Sequence, residues 1–369
     1  MANITFMIGN GFDRALGMKS RFCDTYESYI ASPSADDVIT QFKHVLEKDI
    51  EKWSDFEMRM AYYAKNFSSE KDFVQCVRDY TRFLNTYLKK EEDSVFSAIE
   101  KENLTVVLAN EMIKLLSSFH LGLIRNNYNR IDRILASSIP NHITFITFNY
   151  TNSLEKINTL IKSDTPDIAS FSRPTVVDKI IHIHGQLDND VTLGVDNETQ
   201  FNELPYKLST RGKRVFIKPF FNGQYDSQRV SDAERAIERS DIICTFGWSL
   251  GDSDQTWRSK VLEWLLNDRH RHLIILNHKL LSKQYPVCSI TEQMDDAEEY
   301  RDNVLGKIVG NISPEDYEEL ASRVYVPTGY SLLNLEESVP GYKNLIEQDR
   351  LDPPSDEDIK KLLGIVRVS

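Results

Sequence analysis

Ile4-Thr5-Phe6-Met7-Ile8, followed at once by Gly9-Asn10-Gly11-Phe12-Asp13, decides how the rest of the chain is read. These five residues, all apolar but Thr5, have the length and composition of a buried strand. A Gly-x-Gly turn after such a strand lets backbone N–H groups approach a ligand with no Cβ in the way. A helix starting next adds a positive end that favours phosphate. The pattern is that of the first strand–turn–helix of a nucleotide-binding α/β sheet. The dinucleotide fingerprint G-x-G-x-x-G is incomplete, because its third glycine position holds Arg14. A tight structural turn is the competing reading.

The chain has 369 residues, 41% hydrophobic and 27% charged, with a net charge of −12. That length buries a large core, and the composition is globular. The acidic balance argues against a nucleic-acid partner, which requires a Lys/Arg surface. Lys207, Arg211, Lys213, Arg214 and Lys218 form a local basic group, read as a solvated face with lone phosphate contacts. Cys23, Cys76, Cys244 and Cys288 lie far apart without a C-x-x-C pair, so no metal is expected. Nothing resembles a leader or a membrane span, which points to a cytoplasmic protein with reduced thiols and no membrane contact.

Residues 1–18 read as strand, turn and helix start. Stretches Asp37–Asp49, Phe56–Phe67, Phe73–Tyr87 and Val106–His120 then place apolar residues three and four apart, which predicts amphipathic helices. Strand signals return at His142–Phe148, Lys179–His184, Val191–Val195, Asp241–Phe246 and His272–Leu276, with helices expected at Ser231–Arg239 and Asp254–Asn267. Strands alternating with helices predict a Rossmann-like α/β fold: a mostly parallel sheet, helices on both faces and a large helical insertion after the first strand. The division expected is a core of 1–19 and 139–280, a helical insertion of 20–138 and a C-terminal extension of 281–369. Loop-rich 196–230 reads as a flap or linker. The tail from 331 reads as peripheral, with a short helix near Asp356–Leu363.

In an open α/β sheet, ligands bind beyond the carboxyl ends of the strands. Four expected strands end in Gly9–Asp13, in Phe148-Asn149-Tyr150-Thr151-Asn152, in His184-Gly185 and in Gly247-Trp248-Ser249-Leu250-Gly251-Asp252-Ser253-Asp254. Asn149 can hold ribose hydroxyls or orient a water, or it closes an Asx-turn. Thr151 and Asn152 read as a helix cap. His182 and His184, two apart on a strand, point the same way. His184, nearer the edge, suits a general base, a metal pair with His182 (Asp188 or Asp196 as third ligand) or a structural role, and His182 suits a structural one. Gly247-Trp248-Ser249-Leu250-Gly251 fits the G-x-S-x-G elbow of a serine hydrolase. Alternatively Ser249 holds phosphate or ribose and Asp254 caps the next helix. Ser54 to Glu57 matches a capping box, or Glu57 is a lid carboxylate.

In order and spacing, Ile8–Asp13, Trp53–Glu57, Phe148–Thr151, His182–Gly185, Leu193–Asp196 and Gly247–Asp254 resemble the motif series of the bacteriophage abortive-infection AbiH-like family, over about residues 4–280. That family is in turn similar to sirtuin-like NAD-binding domains. The resemblance implies an antiphage effector that binds and hydrolyses NAD, its substrate. Asn149 and His184 would be catalytic. Gly9, Asn10, Gly11, Phe12, Asp13, Tyr150, Gly247, Ser249 and Asp254 would bind the nucleotide, with no metal. It also implies a phage protein as trigger and allows a homo-oligomer. A non-catalytic nucleotide or ADP-ribose sensor is the alternative. The chain lacks the four-Cys zinc module of sirtuin deacylases, and its first turn is Gly-Asn-Gly where theirs is Gly-Ala-Gly.

Overall fold

Apolar residues run almost without a break along the strands, so both sheet faces must be covered. In the computed structural model β1 (Asn3–Ile8), β2 (Asn141–Thr147), β3 (Thr175–His182), β4 (Ile242–Phe246), β5 (His272–Leu276) and β6 (Val324–Tyr325) form one parallel sheet in the order β3-β2-β1-β4-β5-β6. The structure describes all residues except 54, 137–138, 164–165, 202, 277–288, 310–312, 329–331 and 349–369, and only the backbone at 50. The strand order reverses between β1 and β4, the point at which doubly wound sheets open a crevice.

One face carries Ile4, Phe6 and Ile8 of β1 with Ile242 and Cys244 of β4, packed under helices Thr105–Ser118 and Arg125–Leu135. Met7, Ile243, Leu273 and Ile275 face the other way, onto helices Ser227–Arg239, Gln255–Asn267 and Ile290–Ile308. A second, aromatic core lies beyond the strand ends. It gathers Tyr26, Tyr29, Phe42, Trp53, Phe56, Phe73 and Tyr80, with Phe56 stacked on Tyr80 at 3.9 Å. The helix Glu70–Lys101 joins the two cores: Phe73 to Leu88 belong to the aromatic one, Val95 to Ile99 to the sheet.

Several expectations change. The helix expected to stop at Tyr87 continues, because the charge run after Leu88 is made of good helix formers. Strand β3 stops at His182, so His184 sits in the turn beyond it. Val191–Val195 is not a strand, and Val195 makes only a single bridge to Ile217. The presumed flap holds helices Thr210–Phe216 and Lys218–Tyr225. The tail is not peripheral as far as it is described: Leu335, Tyr342 and Ile346 are buried in the sheet core, and the Tyr342 hydroxyl donates to Leu16 O at 2.9 Å. The expected helix near Asp356–Leu363 lies outside the described residues.

Register makes the strand ends flush. Ile8 pairs with Thr147 and Phe246, Thr147 with His182, and Phe246 with Leu276. The turns after β1 and β4 then meet backbone to backbone. Gly9 N–H donates to Phe246 O at 2.9 Å and Gly11 N–H to Gly247 O at 3.0 Å. A Cβ on Gly9 would stand 2.5 Å from Trp248 Cα, and one on Gly11 2.4 Å from Gly247 Cα. Gly247 itself has φ +66°. These glycines serve turn–turn contact, and two N–H groups expected to face a ligand are already used. Gly247→Ala is therefore expected to lower unfolding free energy in urea by about 3 kcal/mol, through positive φ and overpacking. Gly223→Ala, in open space on a helix, is expected to raise it by about 0.5–1 kcal/mol.

Candidate functional site

The flush ends and the aromatic lobe enclose a cavity of about 670 Å³. From the expected site residues it brings together Gly9, Asn10, Gly11, Asp13, Asn149, Tyr150, His184, Gly247, Ser249 and Asp254 along its lining. Phe12 is the exception. One turn before Leu16, it shares that residue's buried helix face and meets Phe246 edge to face at 6.1 Å inside the core. Asn10 reaches the rim, but its side chain is engaged by Ser20, donating to Ser20 O at 3.0 Å and accepting from the Ser20 hydroxyl.

Buried polar atoms without partners are rare in proteins and call for an explanation. Three converge on this cavity: Asp13 Oδ1, Asn149 Nδ2 and His184 Nε2. Asp13 is held by Thr151, whose hydroxyl donates to Oδ2 at 2.8 Å. Burial pushes Asp13 up to about 7, against the opposing pull of Thr151, Ser153 and Asn149 around the carboxyl. Thr151 therefore does not cap helix Ser153–Ile161, nor does Asn152, whose Oδ1 accepts from Gln186. His182 Nδ1 lies 3.1 Å from Asn149 O and its Nε2 2.6 Å from Glu155 Oε1, which fixes the Asn149 turn and leaves neither nitrogen for a metal. Tyr150 donates to Thr192 O at 3.3 Å and keeps one ring edge beside His184. Phe148 stacks on Trp248 at 4.6 Å and borders His184 from the sheet side.

Below His184 lies a buried charge cluster. His184 Nε2 stands 3.3 Å from Asp254 Oδ1 but not in line for a hydrogen bond. Lys218 Nζ donates to Glu57 Oε2 at 2.8 Å, Ser253 O at 3.2 Å and Asp254 Oδ1 at 3.3 Å. Glu57 Oε1 accepts from Gly194 N–H at 2.9 Å. One cation thus faces two carboxylates. Burial alone would raise Asp254, but Lys218 above all holds it below the usual carboxylate range. Burial raises Glu57 to about 7, with Lys218 opposing and Asp254 adding repulsion. Burial disfavours the Lys218 charge, yet Glu57 and Asp254 outweigh it and keep the ammonium charged. His184 is pushed down to about 3, first by burial and then by Lys218, so its imidazole is neutral.

Lys218 is the residue that sequence reading misplaced: it is fully interior, not part of a solvated basic face. Glu57 lines the cavity and does not cap its helix, because Asp55 caps helix Phe56–Tyr63 by accepting from Met58 N–H at 3.1 Å. Asp254 occupies the cap position of helix Gln255–Asn267 without capping it. Asp196 does that work instead, accepting from Thr256 N–H at 2.6 Å. Ser249 is exposed, and among the described residues no histidine or carboxylate meets its hydroxyl as the base of an elbow.

Lys218→Met leaves two buried carboxylates unpaired and is expected to cost about 3–5 kcal/mol in chemical denaturation, with Glu57→Gln on the same chain restoring part of it. Asp13 titrates at 3.8 unfolded and about 7 folded. Its contribution is complete below the lower value and is lost as pH rises through the higher one. Asp13→Asn is expected to flatten the fall of stability between about pH 4 and 7, measured by urea melts across that range.

No curated protein matches the chain closely enough to assign it. The family model described as bacteriophage abortive infection AbiH matches residues 5–275, a span that holds most of β1, all of β2 to β4, nearly all of β5, and the cluster of Glu57, Lys218, Asp254 and His184. That match covers well over half of the sequence, and the chain belongs to the bacteriophage abortive infection AbiH family.

Proposed function

We propose that this abortive-infection family member binds NAD at the β1/β4 crevice and hydrolyses its nicotinamide–ribose bond. The observation that carries the reading is the convergence of three buried polar side chains with hydrogen-bonding capacity to spare, Asp13, Asn149 and His184, on one cavity at a topological switch point. Such a set suits a polyhydroxylated ligand: a carboxylate accepts, an amide donates, and a neutral imidazole accepts. A cavity of about 670 Å³ falls in the usual range for small-molecule sites.

The chemistry asks little of the protein. Water adds to ribose C1′, the C1′–N1 bond breaks with its electron pair passing to nicotinamide, and the water proton goes to His184. The transition state is oxocarbenium-like, as in glycoside cleavage. Asn149 orients the ribose or the water, and Asp254 beside His184 offsets the imidazolium as it forms. Asn10 and the β1 and β4 turns shape the wall, while Tyr150 and Phe148 border the ring-binding end. The role fits a chain of the cytoplasm acting on a free nucleotide, with a phage component as trigger.

Binding without turnover is the second reading, and one observation favours it. An imidazole pushed down to about 3 is a weak base. Nicotinamide release from NAD by the purified full chain, before and after exposure to phage-infected extract, separates the two. Asn149→Ala and His184→Ala are each expected to reduce release by about 100-fold or more. Unchanged release in both variants overturns the residue roles. Tight NAD binding with no release under either condition selects the sensor.

A further inference from the structure

The sheet has a second polar edge, at the opposite end, where β4 and β5 begin. His272 opens β5, is 4% exposed, and stacks on Tyr325 of β6 with ring centres 5.7 Å apart. The Tyr325 hydroxyl accepts from Arg130 Nη1 at 3.2 Å and lies 3.2 Å from His272 Nδ1. A phenol has a single proton. With that proton donated to Nδ1, the neutral imidazole carries its hydrogen on Nε2.

A pocket of about 420 Å³ opens there, lined by Arg130, Ile134, Asp241, Arg269, His270 and His272. Its nearby carboxylates are directed elsewhere. Asp241 accepts from Asn3 N–H at 2.8 Å, Asp268 from its own loop's His270 N–H at 2.8 Å, and Glu319 from Arg323 at 2.7 Å while standing 4.0 Å from Arg269. Arg130 pairs with no carboxylate among the described residues. The pocket therefore offers guanidinium and imidazole donors beside one lining carboxylate, Asp241, on a chain of net charge −12. Burial, followed by Arg130, Arg323 and His270, pushes His272 down to about 4, which marks the same spot as electropositive.

We propose that this pocket binds a phosphate group, free or as a phosphomonoester, through Arg130, Arg269 and His272. Guanidinium forks match phosphate oxygens in geometry and charge. The anion would join helix Arg125–Leu135, the loop before β5, and β6, fastening the last strand to the sheet.

The test follows the imidazole NMR signals of His272 in the full chain during titration with inorganic phosphate, and separately with AMP, at constant ionic strength. A saturable shift with a rising His272 pKa is expected, weakened about tenfold by Arg130→Gln or Arg269→Gln, changes at exposed side chains. Asn149→Ala is expected to leave it unchanged, which keeps this site separate from the cavity beyond β1 and β4. Equal affinity for both ligands identifies free phosphate, and tighter AMP identifies a phosphomonoester. No saturable shift with either, or equal affinity in both arginine variants, overturns the proposal.

Discussion

Everything at the functional end of this molecule rests on two turns that touch through their backbones. Gly9 and Gly11 after β1 meet Gly247 and Trp248 after β4 with no room for a side chain between them. The contact is made by hydrogen bonds from the first turn to Phe246 and Gly247 carbonyls. It closes the switch point from below and turns an open crevice into the floor of a cavity. A glycine-rich strand end is usually valued for the ligand it admits. Here the glycines first admit each other.

The walls come from far away in the chain. Glu57 descends from the aromatic lobe, Lys218 from the short helix after Ile217, and Asp254 from the turn after β4. Buried ions of this kind are tolerated only when each is paired and hydrogen-bonded. One ammonium shared by two carboxylates meets that condition narrowly, and the Gly194 N–H to Glu57 completes it. The cluster thereby fixes how the lobe sits over the sheet edge. It also reinforces the neutral state that burial gives His184, since a cation so near disfavours a second one.

Much of this was legible in sequence because buried strands rarely end in polar residues without cause. Gly9, Asn149, His184 and Gly247 each follow an apolar run, and register brings all four to one edge. Phe12 was misjudged because adjacency to the glycines hid its helical periodicity with Leu16. Lys218 was misjudged for the opposite reason: Lys207, Arg211, Lys213 and Arg214 surround it with exposed charge. Its own neighbours, Phe216-Ile217 and Pro219-Phe220-Phe221, were the better guide, since a lone cation in an apolar run needs an interior partner. Glu57 depended on tertiary contact with Lys218, 161 residues away, and no local pattern encodes that. Strand β6 is two residues long and carries no periodicity to detect.

The dispersal of the site along the chain bears on its synthesis. Asp13 and Asn149 are set by the first half of the polypeptide, but Lys218 and Asp254 emerge from the ribosome much later. Until they do, Glu57 has no counter-ion and the turn after β1 has nothing to close against. A nascent chain, or one cut short before Asp254, carries the opening glycine motif without a cavity behind it. Whatever this cavity handles, the cavity itself is complete only in a polypeptide whose translation has passed that point.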